Sequence, residues 1–372
     1  MITAPKPCIL TRCLTVVSMC LVSVTAFGQE TDSNQASRGS GISIIPFPFI
    51  FYTPETKVGF GGTVQTLFRF SHGGGQEHSS RLSPIFVYTQ KNQMIAIVAT
   101  ELHFGAGRYR LIADVGYSKF PNTMWGIGND TPDDLEEDYT PRSVYANVQF
   151  QRRVASGWYF GGTIEFVHRR LVETDSGGML VRGLVPGTED GRILSGGLLV
   201  SWDTRDNVVN PKTGGFRQLS ASVVDSAFGS DYNYARYSLD VRQYVSLAPG
   251  QTVALRGLGI ASVGTQPFDA MPQLGGEELL RGYYGGRYRD RNLLAVQAEY
   301  RAHVWKRLGA IGFVSAGRVS RTLSELGFSG LKPTVGFGLR FLLAPEEGLN
   351  LRADFGIGDG TSGFYLGLGE VF

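Results

Sequence analysis

The chain has 372 residues, and 50 of them are Gly, well above the usual share of about 7 %. That density excludes a helical protein, since Gly costs a helix interior up to about 1 kcal/mol per residue. With 42 % hydrophobic residues the chain is too apolar to stay disordered, and a net charge of +2 supplies no basic field for nucleic acid.

Residues 1–28 read as a secretory signal peptide. Lys6 and Arg12 form the positive start, Cys13 to Ala26 is a short apolar run, and Ala26 and Gly28 are small residues suited to cleavage after Gly28. All three cysteines (Cys8, Cys13, Cys20) lie here, so the exported part has no thiol chemistry. The segment holds two bases and no acid, so its removal takes the net charge from +2 to zero. Residues 29–41 are polar and read as a flexible leader.

From residue 42 to 372 the pattern has period two. Over 234–242, Ala235, Tyr237, Leu239 and Val241 alternate with Arg236, Ser238, Asp240 and Arg242. Over 294–304, Val296, Ala298, Tyr300 and Val304 face away from Gln297, Glu299, Arg301 and His303. Residues 334–341 and 349–357 alternate in the same way; the second sets Leu351, Ala353 and Phe355 against Arg352, Asp354 and Gly356. Successive strand residues point to opposite faces, so each segment has one apolar and one polar face.

Sixteen such segments are predicted: 42–52, 57–70, 82–90, 92–104, 107–119, 142–154, 158–170, 191–203, 215–228, 232–246, 251–264, 292–304, 308–317, 331–343, 348–357 and 361–371. Their length of about 9–13 residues suits tilted membrane-crossing strands, whereas soluble strands average about 5–6. An even number fits a closed antiparallel barrel, and closure is compulsory where lipid cannot satisfy an open edge. Connections alternate between tight turns, such as Ser156-Gly157 and Pro249-Gly250, and long loops at 120–141, 171–190, 265–291 and 318–330. Short turns face the periplasm and long loops face outward in outer-membrane barrels; residues 71–81 are longer than that rule allows. The fold class expected is all-β, a transmembrane antiparallel barrel of about 16 strands.

The loop before the twelfth strand reads Leu274-Gly275-Gly276-Glu277-Glu278-Leu279-Leu280-Arg281-Gly282-Tyr283. It resembles the sixth outer loop of the BamA/TamA-type superfamily (the bacterial surface antigen family). There a hydrophobic residue, Arg, Gly and an aromatic form the tip, matched here by Leu280, Arg281, Gly282 and Tyr283. Asp203-Thr204-Arg205-Asp206-Asn207 with Asn210-Pro211-Lys212-Thr213-Gly214 resembles the family's turn between strands eight and nine. The resemblance implies that the sixth loop folds into the lumen and that Arg281 meets wall acids. Glu299 is the first partner expected. In the family's Phe-x-Asp-x-Gly pattern, matched by Phe313 to Gly317, Ser315 stands where Asp belongs, so the lock is expected to rest on one acid.

The resemblance also implies an assembly signal on the last strand, with Tyr365, Gly367 and Phe372 matching and Glu370 departing from it. Only about a dozen residues separate Gly28 from the first strand, against roughly 75 for a periplasmic POTRA domain, so a barrel alone is expected.

No Gly-x-Ser-x-Gly elbow is present, and the five His are scattered at no metal-ligand spacing. Catalytic residues, cofactors and metals are therefore not assigned. Gly285-Gly286 reads as loop flexibility, and the acids between Asp133 and Asp138 as a solvated outer loop. Trp125, Trp158, Trp202 and Trp305 are expected to anchor at the membrane interface. The chain is expected in the bacterial outer membrane, accessory to protein or lipid assembly or translocation. Outer-membrane lipids, client barrels or a separate periplasmic protein are its expected partners, and nucleic acid is not. A passive or structural pore is the first alternative, and a hydrolase a weaker one.

Overall fold

The computed structural model describes residues 42–68, 80–345 and 348–372. Residues 1–41, read from the sequence as a signal peptide and leader, lie outside the described residues, as does most of the long 71–81 connection.

Sixteen strands build one sheet that closes on itself. They are β1 (Ser43–Thr53), β2 (Lys57–Phe68), β3 (Ser80–Thr89), β4 (Met94–Phe104), β5 (Tyr109–Lys119), β6 (Glu137–Ala155), β7 (Trp158–Thr174) and β8 (Gly191–Asp203). Then follow β9 (Gly214–Val224), β10 (Asn233–Ala248), β11 (Gln251–Thr265), β12 (Asn292–Trp305), β13 (Leu308–Ser320), β14 (Lys332–Ala344), β15 (Leu349–Gly358) and β16 (Thr361–Leu368). Each strand pairs antiparallel with the next in chain order, and β16 meets β1. Among the described residues no helix is long and apolar enough to cross a membrane.

The two faces are inverted relative to a soluble protein. On β12 the inward Gln297, Glu299 and Arg301 are buried, while the outward Val296, Tyr300 and Val304 are exposed. The same outward band continues through Phe337 and Leu339 on β14. An apolar outside and a polar inside is what the alternating sequence dictates for a barrel in lipid.

Several boundaries differ from the sequence reading. β6 begins at Glu137, because Glu137 to Tyr139 pair with a short extra strand, Asn122–Met124. β9 stops at Val224; a single 3-10 turn follows, with the Asp225 carboxylate accepting from the Ala227 amide at 2.8 Å. β16 stops at Leu368, because Gly369 takes a left-handed φ of 75° and turns the chain out of the ladder.

The long outer connections interlock above the barrel mouth. The Gly128 amide donates to the Arg289 carbonyl at 2.8 Å, and the Phe268 amide donates to the Pro186 carbonyl at 2.9 Å. The Asn129 side-chain amide donates to the Gly330 carbonyl at 2.9 Å. Met124, Tyr139, Leu180, Val185 and Phe268 form a small apolar cluster between them. Trp125 belongs to this packing and is not an interface anchor. It is buried, edge-on to Tyr284 at 5.2 Å and beneath Arg287. The acids near it are engaged as well: Asp133 pairs with Arg287 at 2.7 Å, and Glu137 accepts from the Met179 and Leu180 amides.

Candidate functional site

The connection between β11 and β12, residues 266–291, is the sixth outer one. Gln273–Leu274 and Tyr288–Arg289 pair as a two-rung ribbon that narrows the loop to a hairpin. Leu280 is fully buried with Leu258, Leu274, Leu293 and Val319, which fastens the hairpin to the inner faces of β11 to β13.

Arg281 is also fully buried. Its guanidinium donates to Asp354 at 2.7 Å and to Glu299, and lies flat over the Phe313 ring at 3.6 Å. Gly282 has a φ of 118°, and a Cβ there would stand 2.8 Å from the Ile357 backbone, so only Gly fits. Its amide donates to the Tyr365 hydroxyl at 3.0 Å, and its carbonyl accepts from Thr361 at 3.1 Å. The Tyr283 hydroxyl accepts from the Asp359 amide at 3.0 Å. Glu277, at the hairpin's other side, pairs with Arg352.

The wall is shaped for this contact. Glu299, Phe313, Gly336 and Gly356 lie on one rung across β12 to β15. A Cβ on Gly336 would enter the Phe313 ring, and one on Gly356 would strike the Arg281 carbonyl. The two glycines make the floor on which ring and arginine lie.

Ser315 does not meet Arg281. It lies two residues further along β13, between Gln297 and Thr334, and its hydroxyl has no hydrogen-bond partner among the described residues. The second acid is Asp354, on β15. The arginine therefore has two carboxylates, and the expectation of a one-acid lock is corrected.

The contact belongs to a larger network. Arg301 donates to Glu299 at 2.8 Å. Asp354 also accepts from Arg340 and from Arg352 at 3.1 Å. Arg340 continues to Glu370 at 2.9 Å, and Asn350 donates to Glu370 at 2.7 Å. Four guanidiniums (Arg281, Arg301, Arg340, Arg352) thus face four carboxylates (Glu277, Glu299, Asp354, Glu370). Buried charges persist only when compensated in this way.

The three residues of the expected assembly signal lie apart. Tyr365 points inward onto Gly282, and Gly367 passes close to Arg352. Phe372 has left the strand. It is buried against Tyr244 and Ala254 of β10 and β11, and its carbonyl accepts from Arg301 at 2.9 Å. The tail after Gly369 therefore crosses the inside of the barrel near its short-turn end.

The seam between first and last strands is thin. β1 pairs with β2 along all eleven of its residues, but among the described residues it pairs with β16 only where Tyr52 stands opposite Leu366.

The Omp85 superfamily profile matches residues 71–372. The chain belongs to the Omp85 superfamily. Its barrel is similar to that of BamA from Haemophilus ducreyi lacking POTRA domains 1–3, with a TM-score of 0.64 at 12 % identity, covering 89 % of this chain and 70 % of that one. CdiB from Acinetobacter baumannii gives 0.58 at 13 % identity, over 88 % of this chain and 60 % of that one. CdiB from Escherichia coli gives 0.59 at 9 % identity, over 89 % and 68 %. Comparison with curated protein sequences finds no match. As an Omp85-family barrel the chain resides in the bacterial outer membrane, and its longest connections, 266–291 among them, mark the outward end.

Sequence reading missed Asp354, Arg340, Glu277 and Glu370. The first two stood on polar faces of alternating segments, which was the available signal. Among the described residues no group of His, Cys, Asp and Glu is arranged to hold a metal ion.

Proposed function

We propose that this Omp85 barrel is an accessory to outer-membrane protein or lipid assembly or translocation and acts without catalysis. The observation that carries the reading is that β1 and β16 pair in the ladder at a single position, beside a loop anchored to β12, β15 and β16. A strand edge held so weakly invites a client strand to pair by edge addition. In this reading the sixth loop is folded into the lumen as a lock: Leu280, Arg281, Gly282 and Tyr283 hold it, and Glu299 and Asp354 receive it. Residues 1–28 direct export and 29–41 form a leader. The partners proposed are client barrels, outer-membrane lipids or a separate periplasmic protein.

The test is a disulfide between Tyr52→Cys and Leu366→Cys, clean because all three native cysteines lie within residues 1–28. Locking the seam should deplete client barrels or lipids from the outer membrane, and reductant should restore them. Full function with the seam locked removes the mechanism. The second reading, a passive pore, predicts large stable conductance in planar bilayers; the interlocked outer loops and the filled β12–β16 side of the lumen favour a quiet channel.

A further inference from the structure

Two of the outer connections are acidic. The outer connection 120–136 holds Asp130, Asp133, Asp134 and Glu136 and no base, and 225–232 holds Asp225 and Asp231 and no base. The periplasmic end carries a set of exposed bases, with Glu346 and Glu347 of the β14–β15 connection also at that end. Arg108 sits in the β4–β5 turn, Arg152 and Arg153 at the end of β6, and Lys306 and Arg307 in the β12–β13 turn, all exposed. Among the described residues no carboxylate lies within ion-pair distance of any of these five. Two acids close by are already engaged. Asp203 is taken by Arg205 at 2.7 Å, and Asp206 accepts from the Asn207, Lys212 and Thr213 amides.

The same rim carries aromatics on its lipid-facing side. Trp158 is 44 % exposed and stacks on Trp202 at 5.8 Å, and the Arg217 guanidinium covers Trp202 at 4.7 Å. Trp305 is 60 % exposed, with the Lys306 ammonium 4.4 Å over its ring. Arg152 pairs across to Tyr109 on one side and Phe160 on the other. Indole rings settle at the headgroup level. A cation held on such a ring stands where a lipid phosphate lies, and among the described residues no carboxylate pairs with Lys306.

We propose that this rim, formed by Arg108, Arg152, Arg153, Lys306 and Arg307 over an aromatic belt, is a binding girdle for anionic phospholipid headgroups of the periplasmic leaflet. Arginine suits phosphate through its planar fork of donors. Each base near a charged leaflet strengthens binding roughly fivefold. The proposal stands apart from the seam mechanism, since a closed barrel would bind the same lipids.

The test is native mass spectrometry of the full chain in detergent with equal amounts of phosphatidylglycerol and phosphatidylethanolamine. The wild type should retain phosphatidylglycerol on the order of tenfold more, and retention should fall as salt rises to about 1 M, where charges are screened within about 3 Å. The combined variant Arg108→Gln, Arg152→Gln, Arg153→Gln, Lys306→Gln and Arg307→Gln should lose the preference while keeping the heat-modifiable gel mobility of a folded barrel. Neutralising Lys57, Lys91, Arg182, Arg291 and Arg321 at the outer end should leave the preference intact. Equal retention of both lipids by the wild type, a salt-independent preference, or equal loss in the two variants would overturn it. A rim blind to headgroup charge that instead retains an acidic periplasmic protein would also overturn it.

Discussion

Replacing Arg281 with Met keeps most of the side-chain volume and removes the charge, so it isolates the ionic part of the loop contact. Arg281 is fully buried, with Glu299 and Asp354 as partners and the Phe313 ring beneath. Removing one member of a buried pair costs about 3–5 kcal/mol, because the other charge stays behind uncompensated. Here Glu299 keeps Arg301, and Asp354 keeps Arg340 and Arg352, so the lower end, about 3 kcal/mol, applies. At about 1.4 kcal/mol per factor of ten, that raises the released population of the loop on the order of 100-fold. Hydrogen–deuterium exchange over 274–286 should accelerate by that factor, with β5 to β8 unchanged, and bilayer conductance should rise. Arg281→Lys, which keeps the charge but not the planar fork, should fall between. A folded Arg281→Met barrel whose loop exchanges like the wild type would refute the ionic anchoring.

Gly282→Ala should free the same hairpin by a steric route, costing about 1–3 kcal/mol for a non-Gly residue forced into a disfavoured φ; cysteine accessibility of the loop reads it. The Asp290 carboxyl, in the outer loop, is pushed up by burial. A raised acid destabilises the fold once it ionises, so Asp290→Asn should melt higher than wild type at neutral pH, and the difference should vanish below the ordinary carboxylate range. Arg281 and Glu370 are linked through Asp354 and Arg340. Loop release and tail release should therefore be coupled, and a double-mutant cycle of Arg281→Met with Glu370→Gln, read by Tm, should depart from additivity by about 0.5 kcal/mol or more.

The barrel was legible because period two is a local property. Val296, Tyr300 and Val304 on one face of β12, and Gln297, Glu299 and Arg301 on the other, are assigned by alternation alone. Strand ends were less legible where a side chain far along the sequence decides them. β6 extends back to Glu137 only because Asn122–Met124 comes to pair with it, and β16 stops at Leu368 as the chain turns at Gly369 to carry Glu370 to Arg340. Trp125 reads as a membrane anchor until Tyr284 and Arg287, far along the chain, are seen to close over it.

The site divides in the same way. The tip motif is contiguous, so Leu280, Arg281, Gly282 and Tyr283 could be read off the chain, and Glu299 follows from the face it occupies. The second acid could not, because alternation gives the face of a residue and not its height on the wall. Height depends on how far each strand is staggered against the next. The rung through Glu299 crosses β13 at Phe313, β14 at Gly336 and β15 at Gly356, which puts Asp354 within reach of Arg281 and leaves Ser315 between Gln297 and Thr334. The pattern around Phe313 thus marks the place where the arginine lies, through its ring, while the charge comes from two strands further on. A lumen acid on β15 serves the same electrostatic need and ties the loop more directly to the strand beside the seam.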